Sequence, residues 1–299
     1  MSPLPIFVTL EPLEKVSSFT PLGIRFWDLV EGRAVVDGLE VIARPPRRPD
    51  LTRRAFRTMS GVYAFHNLPG MHSLESPEPN LSAGMHSIDG TSSSTRFIVE
   101  VYDRRNRFLS VSFLVDLPYR DIYPIGPLSS MPVNGFPGFL LFSDPNRLTL
   151  SASAVVRGQL LERLGPDQFR PARYAVLEVQ SAGGLTWLGI ANELGSIAVP
   201  FPYPQFAASV APVSPPPSPT QTHIQTWDVT IRARYQQEAQ IPLDSFADKP
   251  GLRSLLTQPQ ANIWLGPSGP AQPQLEVTLA FGGPLQIQTA GHSELWIEP

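Results

Sequence analysis

Apolar and polar positions alternate along most of the chain, and this is the pattern that half-buried β-strands produce. Gly and Pro interrupt the alternating runs at short intervals, as they do at turns between strands. The pattern therefore predicts an all-β protein. The clearest runs are residues 29–43, 62–66, 96–103, 107–118, 154–164, 173–180, 185–192 and 226–235.

The runs group into two β-sandwich units, at residues 1–118 and 138–299, and the second unit closes with C-terminal hairpins. Residues 119–137 lie between them and are rich in Pro and Gly, which predicts a stiff, extended connector. Helix is expected to be minimal, because prolines elsewhere stand too close together for helices. The one short helix that we predict lies near Leu252 to Gln258.

The register of one strand can be predicted from its alternation. In residues 62–66, Tyr63 and Phe65 are expected to face the core, and Val62, Ala64 and His66 the opposite side, because successive strand side chains point to opposite faces.

Four aromatic residues in and beside the connector are hard to bury locally, namely Tyr119, Tyr123, Phe136 and Phe139. Because proline fixes φ and lowers the entropy lost on docking, we expect this segment to form a contact surface with another protein chain. These four residues would be its anchors, since interface energy is concentrated in a few such side chains. The alternative is that they pack between the two sandwiches of the same chain.

Composition excludes several classes of site. The chain of 299 residues contains no cysteine, which removes disulfides, thiolate metal sites and Cys nucleophiles. The net charge of −3 shows no excess of positive charge of the kind that nucleic-acid binding requires. The arginine-rich residues 44–57 are interpreted as a solvated loop or a contact surface. No apolar run is long enough for a transmembrane segment. We therefore expect a cytoplasmic protein, unless it is exported as part of something larger.

Candidate chemistry is sparse. The five histidines lack the spacing of metal ligands, and neither a nucleophile elbow nor a glycine-rich phosphate loop is present. Glu100 with Asp103, or Glu40 with Asp116, could pair for glycoside chemistry, but each acid lies in an alternating strand where solvated faces are normal. The sequence predicts no enzyme, no catalytic residue, no cofactor and no metal.

The tryptophans support a second hypothesis about the function of the protein, which is ligand binding. Exposed Trp on a β-sandwich can stack on sugar rings, so a free carbohydrate-binding or adhesion protein is a second hypothesis. The apolar, alternating context of each tryptophan favours the core instead. They are Trp27, Trp187, Trp227, Trp264 and Trp296.

Residues 32–45, 57–70 and 96–103 together resemble the prealbumin-like sandwiches known as carboxypeptidase regulatory-like or pilin-B-type domains. The family pattern T-x-x-G-x-Y-x-F-x-x-L-P-G is matched here by Gly61, Tyr63, Phe65 and the Leu68-Pro69-Gly70 exit. This resemblance covers about the first 118 residues, and it implies a sandwich with no enzymatic role of its own.

A wider resemblance takes in the connector sequence PYRDIYP, the run GFPGFLLFSDPNRL and residues 154–179. In these segments the chain is similar to accessory proteins of bacterial phage-tail-like contractile injection systems. The resemblance implies a non-enzymatic structural component near the baseplate, sheath or cap, present in several copies and bound to other proteins of the particle.

Overall fold

A computed structural model of the chain describes residues 20–28, 30–71, 95–117, 138–148, 153–181, 184–204 and 225–299. These residues form a nearly all-β structure of sandwich type, which confirms the predicted fold class. The strands of the N-terminal part are β1 (Gly23–Ile24), β2 (Phe26–Asp28), β3 (Arg33–Ala34), β4 (Leu39–Arg44), β5 (Arg53–Arg54), β6 (Phe56–Arg57), β7 (Tyr63–Ala64), β8 (Thr95–Asp103), β9 (Val111–Leu117) and β10 (Phe139–Leu141).

The C-terminal part carries longer strands, one α-helix and a 3-10 helix at Gln237–Ala239. The N-terminal part also has a 3-10 helix, at Pro49–Leu51. The other elements of the C-terminal part are β11 (Ser153–Gly165), β12 (Gln168–Pro171), β13 (Val176–Ser181), β14 (Thr186–Ile190), β15 (Ser196–Pro202), β16 (Thr226–Arg234), α1 (Leu252–Leu256), β17 (Gln260–Trp264), β18 (Ala271–Gln272), β19 (Leu275–Ala280), β20 (Leu285–Gln286) and β21 (Leu295–Glu298).

The first unit packs a four-stranded sheet of order β5-β4-β8-β9 and a three-stranded sheet of order β1-β7-β6 around one apolar core. Tyr63 and Phe65 are buried in that core at 4% and 0% exposure and His66 is exposed, as predicted, but Ala64, predicted on the opposite face, is buried as well at 2%. Gly61 ends the preceding turn at a φ of +77°, a conformation that side chains rarely adopt and glycine adopts readily.

The predicted boundary between the units is wrong by about 15 residues. β10 pairs in parallel with β2 in the first unit, with Phe139 opposite Phe26, so residues 138–148 belong to the first unit and the second begins near Ser153. The physical reason is the uninterrupted apolar run from Phe139 to Phe142, which is typical of a strand buried on both faces. The rest of the predicted connector, residues 119–137, lies outside the described residues.

The second unit is a single continuous sheet that curls around its own core, in the order β12-β11-β21-β17-β16-β13-β14. β11 is long enough to pair with β15 through its first half and with β12 and β21 through its second half. β14 and β15 pack closely because Gly189 has no side chain to hold them apart; a Cβ there would lie 2.6 Å from Val199 Cγ2.

The helix α1 lies within the range predicted from the sequence, but it serves the first unit. Leu252, Leu255 and Leu256 are buried in the core of the first unit, where α1 packs against β9. Val176 and Ile190, from β13 and β14, are buried in the same cluster. The second unit therefore completes the core of the first, in addition to having a core of its own.

Candidate functional site

The predicted docking anchors do not form a surface among the described residues. Phe139 is 2% exposed, stacks on Phe113 at 4.3 Å between ring centroids and meets the edge of Phe26 at 5.8 Å. Phe139 therefore offers no exposed ring for docking, and it fills the core of the first unit instead of the space between the two sandwiches that the alternative expected. Tyr119, Tyr123 and Phe136 lie outside the described residues and stay predictions.

A cleft of about 310 Å³ lies between the two units. Its floor is apolar and is built by both units, from Phe108 on one side and from Ile190, Leu252 and Leu255 on the other. Clefts at the junction of two units are common places for ligands. The helix α1, which packs against β9, supplies two of these floor residues, Leu252 and Leu255.

Polar groups from the second unit line the rim of the cleft. The Tyr174 hydroxyl donates to Glu193 Oε1 at 2.9 Å, and Lys249 Nζ lies 3.9 Å from the same carboxylate oxygen. Burial, together with this hydrogen bond, raises the pKa of Tyr174 above its ordinary value, so the phenol stays protonated at neutral pH. Tyr174 has a φ of +56°, which is strained for a non-glycine residue.

A buried amide holds Tyr174 in that conformation. Gln258 is 0% exposed and donates its Nε2 to the carbonyl oxygens of Tyr174 and Leu255, at 3.0 and 2.9 Å. Its Oε1 accepts from the Gln236 backbone N–H and from Gln240 Nε2. All the polar capacity of this side chain is used, so the cleft wall is fixed by hydrogen bonding.

Most polar side chains of the lining already have partners within the chain. No histidine is found among the described residues that line the cleft, and its tyrosine is held in the neutral form. Two further lining side chains are used as local caps: Asn192 Oδ1 accepts the N–H groups of Leu194 and Ser196, and Asp144 Oδ1 accepts that of Asn146. An apolar floor with a polar rim suits an amphipathic group.

A buried ion pair joins the two units beside the cleft. Arg44 on β4 donates to both carboxylate oxygens of Asp244, at 3.1 Å for the longer bond, and its guanidinium also reaches Glu100 at 3.2 Å. The side chains of Arg44 and Asp244 are only 4% and 2% exposed. Hydrogen bonds from Arg44 hold the pKa of Asp244 well below its usual range, so this pair is charged at all but strongly acidic pH.

A second buried pair anchors the segment that leads into β11. Arg147 donates to both oxygens of Asp28 on β2 and to Ser143 Oγ at 3.1 Å, and it stacks over the Phe108 ring at 4.8 Å. Sequence analysis missed both pairs, because their partners are 200 and 119 positions apart and no local pattern connects them. The only signal was the excess of arginine over lysine, since arginine suits buried bidentate pairs.

The tryptophans divide between core and surface. Trp296 is 5% exposed and is buried as expected, whereas Trp27, Trp187, Trp227 and Trp264 are only half-buried. Trp227 lies in an aromatic cluster at one end of the second unit. In that cluster Tyr203 lies 5.2 Å from Trp227 and 4.8 Å from Phe281, between ring centroids. Phe281 is 55% exposed, so part of the cluster faces solvent.

The two described histidines have structural contacts. His66 stacks on Phe56 at 4.6 Å, and His292 lies 4.1 Å from Trp296. His72, His86 and His223 are outside the described residues. Within the described ranges, no three His, Asp or Glu side chains are grouped as a metal site would require, and no helix is long and apolar enough to span a bilayer.

No protein-family model and no curated protein matches the chain. Among solved structures it is similar to the Bacillus anthracis TIE protein at 8% identity and a TM-score of 0.23, over 89% of this chain and 44% of that one. It is also similar to a candidate adhesin from Bacteroides ovatus at 6% identity and a TM-score of 0.20, over 97% and 99% of the two chains. This chain therefore spans less than half of the TIE protein, and at such TM-scores neither likeness indicates a function.

Proposed function

We propose that the protein is a non-enzymatic structural component of a larger protein assembly and acts through contacts with other chains. A bacterial phage-tail-like contractile injection particle is the setting that the sequence resemblance implies. Its position in that particle would be at the baseplate, sheath or cap, in several copies.

The observation that carries this proposal is that the residues between the two units are used to fix one unit against the other. Leu252, Leu255 and Leu256 complete the core of the first unit, and the Arg44–Asp244 pair joins the two units. Lids and domains that close over a substrate move relative to each other, whereas these contacts hold the two units together. A fixed arrangement of the two units supports a structural role.

Large apolar side chains on the surface support contacts with other proteins. Ile241 and Phe246 are 63% and 56% exposed in the segment that leads from β16 to α1, and Leu194 is 65% exposed at the edge of the cleft. Single exposed apolar residues are normal, but two large ones in one short segment favour an interaction surface. The segment that carries Ile241 and Phe246 is itself held by the buried Asp244.

The experiment is to express a tagged second copy in the cell that makes the protein and to measure how much of it sediments with the particle. We expect the Ile241→Ser/Phe246→Ser double variant to fall at least roughly tenfold below the wild type, because central apolar anchors dominate interface energy. The control is Leu185→Ser, which removes an equally exposed residue from the distant turn before β14. Equal incorporation of all three chains, at equal melting temperature, would exclude this surface.

Binding of a glycan is a second candidate function, and the Tyr203–Trp227–Phe281 cluster is the observation that favours it. Aromatic rings at the surface of a sandwich can stack on the apolar face of a sugar. Titration with oligosaccharides should then change tryptophan fluorescence, and Phe281→Ala should remove the change. A flat titration with every sugar class tested would exclude this candidate.

A further inference from the structure

β19 is an edge strand of the second unit, and one side of its backbone has no partner strand among the described residues. Each residue of β19 pairs with β16, and the other side of β16 is taken by β13. No other described strand pairs with β19. A terminal strand of this kind presents a row of N–H and C=O groups on which another strand can add.

The pairing with β16 decides which backbone groups of β19 point outward. The Phe281 N–H donates to Gln225 O at 2.9 Å, so the hydrogen-bonded pairs of this antiparallel ladder continue at positions 279, 277 and 275. The residues between them, Glu276, Thr278 and Ala280, turn their N–H and C=O groups to the outer side. No backbone hydrogen bond to another described residue uses these outward groups.

The apolar core of the second unit is open on the side of β19. Leu275 and Val277 pack against that core and are only half-buried, and so does Leu285 on the neighbouring β20. Phe281, directly after β19, is 55% exposed. Leu275, Val277 and Phe281 lie on the core-facing side of the sheet, because alternate residues of a strand share a face. A strand added along β19 would extend the sheet and cover this row.

β19 lacks the features that usually protect a sheet edge. It contains neither lysine nor proline, and Glu276 is its one charged residue. The two ends of the main strand order differ from it: β12 has four residues and ends in Pro171, and β14 packs against β15. Natural edges are commonly short, covered, charged or interrupted by proline. An open edge without these features favours a partner strand.

We propose that two copies of this chain pair in antiparallel orientation along β19, about a two-fold axis at Thr278. The outward-pointing residues are spaced evenly about Thr278, so the axis places Thr278 opposite its own copy and Glu276 opposite Ala280. All three then form hydrogen-bonded pairs with the second copy. A two-fold interface of this type uses the same surface on both chains, which the symmetric spacing of these residues allows.

The side chains on both faces suit this register. On the outer face, Thr278 meets a second Thr278, and such Thr–Thr pairs stabilise antiparallel strands. On the core-facing side, Val277 lies opposite Leu279 and Leu275 lies opposite Phe281 of the second copy. The apolar row of each chain is therefore covered by the apolar row of the other.

Charge excludes the neighbouring registers. With the axis at Thr278, the two Glu276 residues are offset by four residues along the paired strands, which is about 13 Å. An axis at Glu276 would place the two carboxylates directly opposite each other, which destabilises a strand pair. An axis at Ala280 would pair Glu276 and Thr278 with residues beyond the end of the strand. Only the axis at Thr278 uses all three outward residues without a like-charge pair.

The inference goes beyond the proposed function, because two purified copies can pair without any other protein of the assembly. The pairing would also cover Phe281, so a second copy and a glycan would compete for that ring.

Sedimentation equilibrium of the purified full chain, up to about 200 μM, measures the pairing. We expect a monomer–dimer equilibrium, and Thr278→Lys should raise its Kd by roughly tenfold or more, because two ammonium groups then stand opposite each other at the axis. The control is Asn262→Lys, which adds the same charge at an exposed position of the central strand β17. Its Kd should stay within about twofold of the wild type.

The absence of cysteine from the chain permits a direct test of the register. In Thr278→Cys the two cysteines would be directly opposite, with Cα atoms about 5.5 Å apart, which a disulfide can bridge. In Ala280→Cys they would be offset by four residues, or about 13 Å, which a disulfide cannot bridge. Oxidation by copper phenanthroline in air should therefore convert most of the Thr278→Cys chain into a covalent dimer on a non-reducing gel. The Ala280→Cys chain should stay monomeric on the same gel.

A wild-type chain that is monomeric at about 200 μM would overturn the proposal, because a second copy is then not the occupant of the edge. Equal Kd values for the two lysine variants, or equal cross-linking of the two cysteine variants, would overturn it as well, because pairing would then not run through Thr278. The proposed function stands in each of these cases as long as the wild-type chain still sediments with its particle.

Discussion

At the scale of single residues, buried arginine–carboxylate pairs join segments of this protein that are far apart in the sequence. Arg44 with Asp244 and Arg147 with Asp28 each join segments that are more than 100 positions apart. Glu162 is likewise only 4% exposed and is bonded by Tyr235 and Arg170. Breaking a buried pair leaves an uncompensated charge, which is strongly destabilising.

Asp244→Asn should lower the free energy of unfolding by about 3 kcal/mol at pH 7, because Arg44 loses its charged partner in a buried site. The pKa of Asp244 is depressed in the folded state, so its stabilisation is complete above the unfolded-state value of about 4 and is lost as the pH falls towards the folded-state value. Urea unfolding at pH 7 and pH 3 measures both effects.

The control for that prediction is Asp116→Asn, which removes an exposed carboxylate paired with Arg96 and should change stability by less than about 0.5 kcal/mol. If Asp244→Asn and the wild type have the same free energy of unfolding at pH 7, the Arg44–Asp244 pair does not stabilise the fold. If their difference is as large at pH 3 as at pH 7, the charge of Asp244 is not its cause.

At the scale of elements, alternation predicted the class of structure and the burial of Tyr63 and Phe65, though not that of Ala64, and the short helix lies where the sequence placed it. β10 was missed, because a run of four apolar residues has no period and its parallel partner β2 is more than 100 positions away. The burial of Phe139 follows from that pairing. The sequence also did not predict which strands lie at the ends of the sheets, because that depends on pairing between distant segments.

The close approach of β14 and β15 depends on a glycine that is not in a turn. Gly189→Ala places a methyl group 2.6 Å from the stiff, buried side chain of Val199 and 3.3 Å from the carbonyl oxygen of Ala198. We expect a loss of about 1–3 kcal/mol in the free energy of unfolding, as overpacking usually costs.

Gly283→Ala is the matched control, because an added Cβ there meets no atom within 4 Å. It should leave stability within about 0.5 kcal/mol of the wild type. Thermal or urea unfolding measures the stability of both variants. Equal stabilities would mean that β14 and β15 can move apart without loss of folding free energy.

At the scale of the whole molecule, the two units form one body because the helix of the second completes the core of the first. The sequence predicted two sandwiches but not their union, since α1 lies about 140 positions from the strand β9 on which it packs. Two candidate surfaces belong to the second unit's side of this union: the rim of the cleft and the exposed apolar segment before α1.

The most direct test of the structural role is the size of the species that contains the chain in the cell that makes it, measured by sedimentation of a gentle lysate with quantification of the protein across the gradient. We predict that a large share of the chain sediments with a particle many times heavier than its own mass of 32.8 kDa, in a constant ratio to the other proteins of that particle. A chain found entirely as a free monomer, at every stage of growth, would contradict it.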